Sequence, residues 1–516
     1  MTLPDRYRPH RSPRGCFLLF LLLVCLRGAV AGDAGPVVHV ADGALLGRAT
    51  NDPGVQAFMA IPYAVPPVGP LRWRPPQPPL PWSGVRDATR AGPACMQSHR
   101  GDVTAIPSED CLSLNVWAPL RRHGPPLPVM VFVHGGGFVF GSGAEPVYDG
   151  TALAGHKVLL VTLNYRLGVF GFLAHPALTR EGGGTSGNYG LLDQIRALRW
   201  IQANIGAFGG DPRRVTLFGE SAGGTSVAML LASPLARGLF ARAILESPAL
   251  GWRFMTLAEA ERTGLSIGSD LAALRRAPAQ SLVAANLMIQ SRAPRMAPVP
   301  LPFPVVDGQV LPDQPNALLE SPAGFRMPMM IGTNADEGLS FAAHWRGLSP
   351  GAYAQRLSLL FGTQAAQAAL VYPAHDPESA LRSGADIIGD GLFYEGARML
   401  GRAGASREPR AFRYVFAEPI LGLPPRHAAE VAFVFGTLGR LASAQDRALS
   451  ETMMTAWTRF ATTGDPNGDG ASVSSARWPR AGGTGDPYLE LGPTIAARAG
   501  FRTIQLDFMQ GTIPGG

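Results

Sequence analysis

Ser221 lies in a Gly-x-Ser-x-Gly motif, Gly219-Glu-Ser-Ala-Gly223, that directly follows the apolar run Val215–Phe218. The small residues from Ala222 onward are typical of the start of a packed helix. Glycines are needed around such a serine because the turn from strand to helix is too tight for side chains, and the turn pushes the hydroxyl outward. We therefore predict that Ser221 is the nucleophile of an acyl-transfer reaction.

A second glycine cluster, His134-Gly-Gly-Gly-Phe138, follows the apolar run Val129–Val133. Attack on an ester carbonyl places negative charge on its oxygen, and backbone N–H groups that no side chain obstructs can bind that oxyanion. A glycine loop at the carboxyl end of a strand is suited to this task. The predicted oxyanion donors are the backbone N–H groups of Gly136, Gly137 and Ala222.

A serine nucleophile needs a base, and the histidines that follow Ser221 are His344, His375 and His427. When a serine lies on such a turn, the acid and then the histidine come later in the chain. His427 lies in a loop after the apolar run Phe412–Phe416, where a side chain can reach the edge of a sheet. We predict that His427 is the base.

The acid partner is predicted in the turn Gly332-Thr-Asn-Ala-Asp-Glu-Gly338, which follows the apolar run Met327–Ile331. Glu337 is the favoured acid and Asp336 is the close alternative. A carboxylate at this place would orient the imidazole and stabilise its protonated form during catalysis.

These motifs follow short apolar or β-branched runs that alternate with helical patterns. The runs are Val129–Val133, Val158–Asn164, Val215–Phe218, Ala241–Leu245, Met327–Ile331 and Phe412–Phe416. Between the second and third runs, Leu191, Leu192, Ile195, Leu198 and Ile201 recur at helical spacing. The alternation predicts an α/β fold with a mostly parallel central sheet, helices on both faces and functional loops at the carboxyl ends of the strands.

Residues 247–304 and 340–404 have helical patterns and are predicted to be insertions over the active site. The chain has 516 residues, of which 46% are apolar, and no long polar linker divides it. We therefore expect one domain over residues 32–516.

The N-terminal segment has the pattern of a secretory signal peptide. Basic residues precede the apolar run Cys16–Leu26, and the small residues that end at Ala31 suit a cleavage site. An uncleaved N-terminal anchor is the alternative. We expect residues 1–31 to be removed after Ala31 and the protein to be secreted or periplasmic. No later apolar run reaches ~18 residues, so no integral membrane body is expected.

The net charge of +7 does not indicate a nucleic-acid partner. Five arginines and one acid lie in residues 1–31, so the rest of the chain is close to neutral. Lys157 is the only lysine, and the arginines are dispersed among acidic residues without a basic stripe. The expected partner is a small molecule, and the oligomeric state is left open.

Cys95 and Cys111 are the cysteines that remain after the predicted signal peptide. In an exported protein such a pair favours a disulfide, with two buried free thiols as the alternative. The Cys-x-x-Cys and His-Glu-x-x-His spacings of zinc sites are absent from the sequence. We expect no metal and no cofactor.

The chain resembles the type-B carboxylesterases of the α/β-hydrolase superfamily, the group that includes cholinesterases. The resemblance rests on motifs in the family's order: Phe58–Ala64, Glu109–Trp117, His134–Phe138, Asn164–Gly168, Phe208–Pro212 and the turn around Ser221. It implies an α/β-hydrolase fold, a triad of Ser221, Glu337 and His427, and a Cys95–Cys111 disulfide. It also implies that Glu220 and Ser247 lie around the triad.

The loop between Cys95 and Cys111 differs from that of cholinesterases, because it is short and contains no tryptophan. A tryptophan there binds quaternary ammonium groups by cation–π attraction. The resemblance implies a carboxylesterase, and choline specificity is not implied. Hydrolysis of amides, carbamates or lactones by the same triad, and a noncatalytic binding or adhesion protein with this fold, are the alternatives.

Overall fold

The computed structural model describes residues 35–98, 105–120, 124–251, 253–292, 303–321, 324–468 and 476–512. The predicted signal peptide, residues 1–31, lies outside the described residues. Pro36 is the first residue of a compact unit. Within the described ranges, no helix has both the length and the apolar character that are needed to cross a bilayer.

The described strands begin close to Pro36 and continue to the C-terminal part of the chain. They are β1 (Val37–Val40), β2 (Gly43–Leu46), β3 (Arg48–Ala49), β4 (Val55–Pro62), β5 (Val85–Asp87), β6 (Ala94–Cys95), β7 (Pro107–Ser108), β8 (Ser113–Pro119), β9 (Leu127–Val133), β10 (Leu159–Leu163), β11 (Gly210–Glu220), β12 (Arg242–Glu246), β13 (Met329–Asn334), β14 (Ala411–Phe416), β15 (Tyr488–Leu491) and β16 (Ala496–Arg498).

The described α-helices lie between and after these strands. They are α1 (Thr151–Gly155), α2 (Gly168–Phe172), α3 (Pro176–Glu181), α4 (Tyr189–Asn204), α5 (Ala222–Ala232), α6 (Leu257–Leu265), α7 (Leu271–Arg276), α8 (Ala279–Arg292), α9 (Pro315–Glu320), α10 (Pro350–Phe361), α11 (Ala365–Val371), α12 (Pro377–Gly389), α13 (Glu395–Ala405), α14 (Val431–Phe435), α15 (Ala444–Thr463) and α16 (Thr503–Thr512).

One large sheet organises the molecule, with strand order β16-β15-β14-β13-β12-β11-β9-β10-β8-β4-β3. The strands from β10 through β15 pair in parallel with one another. Antiparallel strands extend the sheet on both sides, β8, β4 and β3 on one and β16 on the other. All the apolar runs predicted to be strands lie in its parallel part. As parallel strands, they bring their carboxyl ends to the same edge.

Helices cover both faces of this sheet. Along β9, Val129, Val131 and Val133 face a core that contains side chains of α4 and α5. Met130 and Phe132 face the opposite core, which contains side chains of α1, α14 and α15. This alternation is the period of a strand buried on both sides. The predicted α/β class with helices on both faces is confirmed.

Both predicted insertions contain helices. Residues 247–304 contain α6, α7 and α8, and residues 340–404 contain α10, α11, α12 and most of α13. The second insertion also contains a π-helical turn, Asp390–Tyr394, that joins α12 to α13. This turn reaches the edge of the sheet where the predicted site residues lie.

Candidate active site

Ser221 occupies the tight turn between β11 and α5. Its backbone is strained, with φ 57° and ψ −122°, and its N–H donates to the Glu246 carbonyl at 2.9 Å. A Cβ on Gly223 would collide with the Val133 carbonyl oxygen, and one on Gly219 would lie 2.6 Å from the Gly223 backbone. Both glycines are therefore required by close backbone packing, and strain of this kind is typical of functional positions.

His427 lies between β14 and α14, and its imidazole contacts both other residues of the predicted triad. Its Nε2 is 2.8 Å from the Ser221 hydroxyl oxygen. Its Nδ1 is 2.5 Å from Oε2 of Glu337. A serine proton can therefore pass to Nε2 while Nδ1–H donates to the carboxylate.

Glu337 is the carboxylate that contacts His427, and it opens a 3₁₀ turn, Glu337–Ser340, after β13. Its side chain is fully buried. Oε1 accepts hydrogen bonds from the Ser247 hydroxyl at 2.5 Å and from the Asn334 N–H at 2.7 Å. Asp336, the alternative acid, instead forms an ion pair with Arg382. The geometry favours Glu337 over Asp336 as the partner of His427.

Ser247 and Glu220 lie beside this chain of contacts, as the resemblance implies. Ser247 follows β12 and has a left-handed backbone with φ 47°. Glu220 ends β11, and its Oε1 is 3.3 Å from Nε2 of His427. Burial raises the pKa of Glu220 to about 7, with Glu337 adding to the rise and His427 opposing it. A second carboxylate thus faces the nitrogen that contacts the Ser221 hydroxyl.

The surrounding carboxylates control the protonation of His427. Burial lowers its pKa, but the negative charges of Glu220 and Glu337 and the hydrogen bond to Glu337 outweigh that effect, and Glu430 adds to them. The pKa of His427 is raised to about 9. The environment therefore favours the imidazolium, which is the form that the proton transfer from a serine produces.

Glu430 and Asn334 are site residues that the sequence analysis missed. Glu430 is fully buried and accepts a hydrogen bond from the Asn334 side-chain amide at 2.5 Å. Burial, together with the charges of Glu220 and Glu337, raises the pKa of Glu430 to about 8. One signal could have found it: Glu430 is an acid placed three residues after His427 and directly before an apolar run.

The predicted oxyanion loop lies against Ser221. A Cβ built on Gly135 would be 3.1 Å from Cβ of Ser221. Gly136 and Gly137 have φ values of 97° and 60°, which glycine adopts readily. Ala222 is the first residue of α5, so its N–H is one of the helix-end donors without an intrahelical acceptor. The three predicted donors thus belong to segments that meet at the serine.

Two contacts hold the ends of the segment 134–141, which contains the glycine loop. The Tyr165 hydroxyl donates to the His134 carbonyl at 3.0 Å, and the two rings stack at 4.6 Å. At the other end, the Gln97 side chain accepts from the N–H of Gly141 and donates to its carbonyl, both at 2.9 Å. Gln97 follows Cys95 closely in the chain. Anchoring of this kind preorganises the loop for a developing charge.

Cys95 and Cys111 form a disulfide. The bond ties β6 to the residues that lead into β8. Because Gln97 lies two residues from Cys95, the disulfide restrains the segment that anchors Gly141. The predicted pairing is present in the structure, and the alternative of two free thiols is not.

Two phenylalanines of the second insertion pack against His427. The Phe393 ring lies 4.7 Å and the Phe341 ring 5.1 Å from the imidazole. The other candidate histidines are elsewhere: His344 lies in a 3₁₀ turn, Ala342–Trp345, and His375 is exposed before α12. Among the described residues, no group of histidine, cysteine and acidic side chains is arranged to hold a metal ion.

The sheet, the strand-to-helix turn at Ser221 and the loops that converge on it define an α/β-hydrolase. The structure is similar to that of PNB esterase, with a TM-score of 0.80 and 38% sequence identity, over 92% of this chain and 99% of the other.

Sequence comparison gives the family. The model of the carboxylesterase family matches residues 34–509. Fumonisin B1 esterase of Sphingopyxis macrogoltabida is 42% identical over 88% of this chain and 86% of its own. Para-nitrobenzyl esterase of Bacillus subtilis (strain 168) is 40% identical over 84% of this chain and 90% of its own. The chain belongs to the carboxylesterase family and is a carboxylic ester hydrolase of the serine hydrolase class, as its resemblance to the type-B members implied.

Proposed function

We propose that Ser221, His427 and Glu337 form the catalytic triad of this ester hydrolase. The observation that carries the proposal is the unbroken chain of contacts from Ser221 Oγ to His427 Nε2 at 2.8 Å and from His427 Nδ1 to Glu337 Oε2 at 2.5 Å. Hydrogen-bonded side chains in this order are the requirement for activating a serine.

In the first half of the reaction, Ser221 Oγ attacks the ester carbonyl carbon and its proton passes to Nε2 of His427. Glu337 stabilises the imidazolium through Nδ1–H. The N–H groups of Gly136, Gly137 and Ala222 bind the oxyanion of the tetrahedral intermediate. When the intermediate collapses, the carbon–oxygen ester bond breaks, and the departing alcohol takes the proton from His427. The acyl group then remains on Ser221.

In the second half, water attacks the acyl-enzyme and gives its proton to His427. The same donors bind the second oxyanion, and the collapse of this intermediate releases the carboxylic acid and returns the proton to Ser221. The steps use side chains and backbone groups of the protein, the ester and one water molecule, so the proposal includes no cofactor. Glu220 faces Nε2 at 3.3 Å and would stabilise the imidazolium in both halves.

We further infer that the protein is exported, with residues 1–31 as the signal peptide and residues 32–516 as the hydrolase domain. The disulfide between Cys95 and Cys111 supports an oxidising compartment, which is where such bonds persist. The substrate is a small-molecule ester, and the names of two relatives, fumonisin B1 esterase and para-nitrobenzyl esterase, supply two esters to be tested.

A hydrolysis screen with the purified mature protein tests this function. Activated esters of increasing acyl length, the two esters of the named relatives, a polyester and matched amides, carbamates and lactones would be compared by kcat/KM. We expect turnover of carboxylic esters and at least hundredfold slower turnover of the matched amides. Preferred hydrolysis of an amide or lactone, or no turnover of any ester, would contradict the proposal.

A further inference from the structure

We propose that the π-helical turn Asp390–Tyr394 is a clamp that positions the acid and the base of the triad together. The turn supplies consecutive side chains to two different partners. Phe393 packs on the His427 ring at 4.7 Å, and the Tyr394 hydroxyl accepts a hydrogen bond from the Glu337 N–H at 3.0 Å. The proposal rests on the triad proposed above and adds Tyr394 and Phe393 as positioning residues.

The contact of Tyr394 acts on the backbone of Glu337 rather than on its carboxylate. Glu337 is the first residue of its 3₁₀ turn, so its N–H has no acceptor within that turn. Tyr394 is buried, and its hydroxyl supplies the missing acceptor. The backbone of the acid is thereby fixed at the point from which its side chain reaches His427.

Phe393 completes the clamp on the opposite partner. Its ring also stacks on Phe341 at 5.7 Å, so the two phenylalanines form one aromatic wall beside the imidazole. The wall restricts the tilt of the imidazole ring. A π-turn inserts one residue into a helix and is common at functional sites. Here the π-turn lies between α12 and α13, and its adjacent residues Phe393 and Tyr394 reach His427 and Glu337, respectively.

The C-terminal segment anchors this turn. Asp390, its first residue, is fully buried and accepts two hydrogen bonds from Arg502 at 2.5 and 2.7 Å, and one from the Tyr372 hydroxyl at 2.9 Å. The guanidinium of Arg502 also lies 5.8 Å from the centre of the Tyr394 ring. A paired and hydrogen-bonded buried charge is costly to disrupt. Arg502 therefore holds both ends of the π-turn.

The segment after Ser247 is bonded to the same turn. The N–H groups of Leu250 and Gly251 donate to the Leu392 carbonyl at 3.0 and 3.2 Å. A Cβ on Gly251 would collide with the Gly391 carbonyl oxygen. The two backbones are thus in close contact, and the turn cannot shift without moving the chain that carries Ser247, a donor to Glu337.

The test compares Tyr394→Phe with a matched control, Tyr63→Phe. Tyr63 is also fully buried, and its hydroxyl donates to the Asn164 carbonyl at 2.6 Å. Tyr63 follows β4, which is far in the sheet from β13, the strand that precedes Glu337. The strands between β4 and β13 are β8, β10, β9, β11 and β12. Each substitution removes one buried hydroxyl and keeps the ring. Measurements are kcat, KM and the pH profile of kcat/KM for an uncharged ester, with urea unfolding as a check of the fold.

We expect Tyr394→Phe to lower kcat at least tenfold with KM within twofold of native, because small misplacement of a catalytic group is costly. The charges of three carboxylates raise the pKa of His427: those of Glu220 and Glu337, which contact its ring nitrogens, and that of Glu430. A weaker contact with Glu337 stabilises the imidazolium less. The acid limb of the pH profile, the range over which kcat/KM falls as the pH is lowered, should therefore move to lower pH. Tyr63→Phe should keep the native kcat and acid limb. A smaller change in kcat for Tyr394→Phe, or an acid limb that does not move, would overturn the clamp.

Arg502→Lys keeps the test decisive if Tyr394→Phe fails to fold. It retains a positive charge beside Asp390 but loses the paired hydrogen bonds. As for Tyr394→Phe, we expect a lower kcat and an acid limb that moves to lower pH. Native behaviour of Arg502→Lys would then overturn the proposal. Ser221→Ala separates the two proposals: an inactive Ser221→Ala beside a native-like Tyr394→Phe rejects the clamp alone, while an active Ser221→Ala rejects the triad.

Discussion

Glu220 Oε1 lies 3.3 Å from Nε2 of His427, the nitrogen that also faces the hydroxyl of Ser221. Glu337 is bonded to the other nitrogen. The protonated imidazole would therefore lie between two buried carboxylates. This relationship stabilises the imidazolium of the transition state, and it also holds a proton on the base as the pH falls.

The acid limb of kcat/KM should lie above pH 6.5, the ordinary pKa of histidine, because the pKa of His427 is raised to about 9. The proposed mechanism requires neutral His427, so activity should be lost as pH falls through that pKa. Glu220→Gln removes one negative charge and should move the limb to lower pH while lowering kcat severalfold. The measurement is a pH series with an uncharged ester.

The control for Glu220→Gln is Glu451→Gln, since the Glu451 side chain is 63% exposed and pairs with His156. Its acid limb should coincide with that of the native protein. If the acid limb of Glu220→Gln lay at the same pH as that of the native protein, or at a higher pH, the proposed electrostatic role of Glu220 would be contradicted.

His427→Ala should lower kcat by a factor on the order of 10⁴, since the serine then has no base. His344→Ala and His375→Ala should retain most of the activity, because neither side chain occupies the contact with Ser221. Steady-state kinetics of the three variants with one activated ester would check this. If His375→Ala or His344→Ala were the inactive variant, the assignment of the base would be wrong.

The residues around Ser221 could be predicted from sequence because each follows a parallel strand whose apolar run is unmistakable. The outer strands of the sheet were not predicted, and β8 and β4 show the physical reasons. β8 carries Asn115, a buried polar residue whose amide donates to Thr162 on the neighbouring strand at 2.9 Å. β4 ends at Pro62 and pairs irregularly with β8. Polar or proline residues interrupt the apolar pattern by which a strand is predicted. The hydrogen-bond partners that satisfy a buried polar residue such as Asn115 lie on another segment of the chain.

Glu430 and Tyr394 show the same limit within the site. Glu430 is bonded to Asn334, which is 96 positions away, and Tyr394 to Glu337, which is 57 positions away. No local spacing links such pairs. Glu337 could be preferred over Asp336 because it resembles the acid of a family motif, but the ion pair of Asp336 with Arg382 depends on how α12 packs against the turn.

Cys95→Ser combined with Cys111→Ser should lower the free energy of unfolding by ~3 kcal/mol, the value expected for a loop of this length. It should also reduce kcat severalfold, because Gln97 would hold the Gly141 backbone less firmly. Urea unfolding and kinetics measure the two effects. Gln97→Ala is the control with the disulfide intact, and it should reduce kcat with a smaller loss of stability. Native stability of the double variant would contradict this account.

The protein should show no preference for choline esters over uncharged esters of equal acyl length. The loop between Cys95 and Cys111 has no tryptophan, and Phe341 and Phe393 pack against each other and against His427. The comparison is kcat/KM for butyrylcholine against an uncharged butyrate ester. A tenfold advantage for the cation, ~1.4 kcal/mol of transition-state binding, would show that a cation site exists.

The most direct test of the central claim is covalent labelling at Ser221 combined with Ser221→Ala. An irreversible organophosphate should add its mass once to the native protein, on the peptide that contains Ser221, and abolish turnover of an activated ester. Ser221→Ala should take up no label and should lower kcat by a factor on the order of 10⁴ or more. Labelling at another residue, or turnover by Ser221→Ala close to that of the native protein, would contradict the proposed triad.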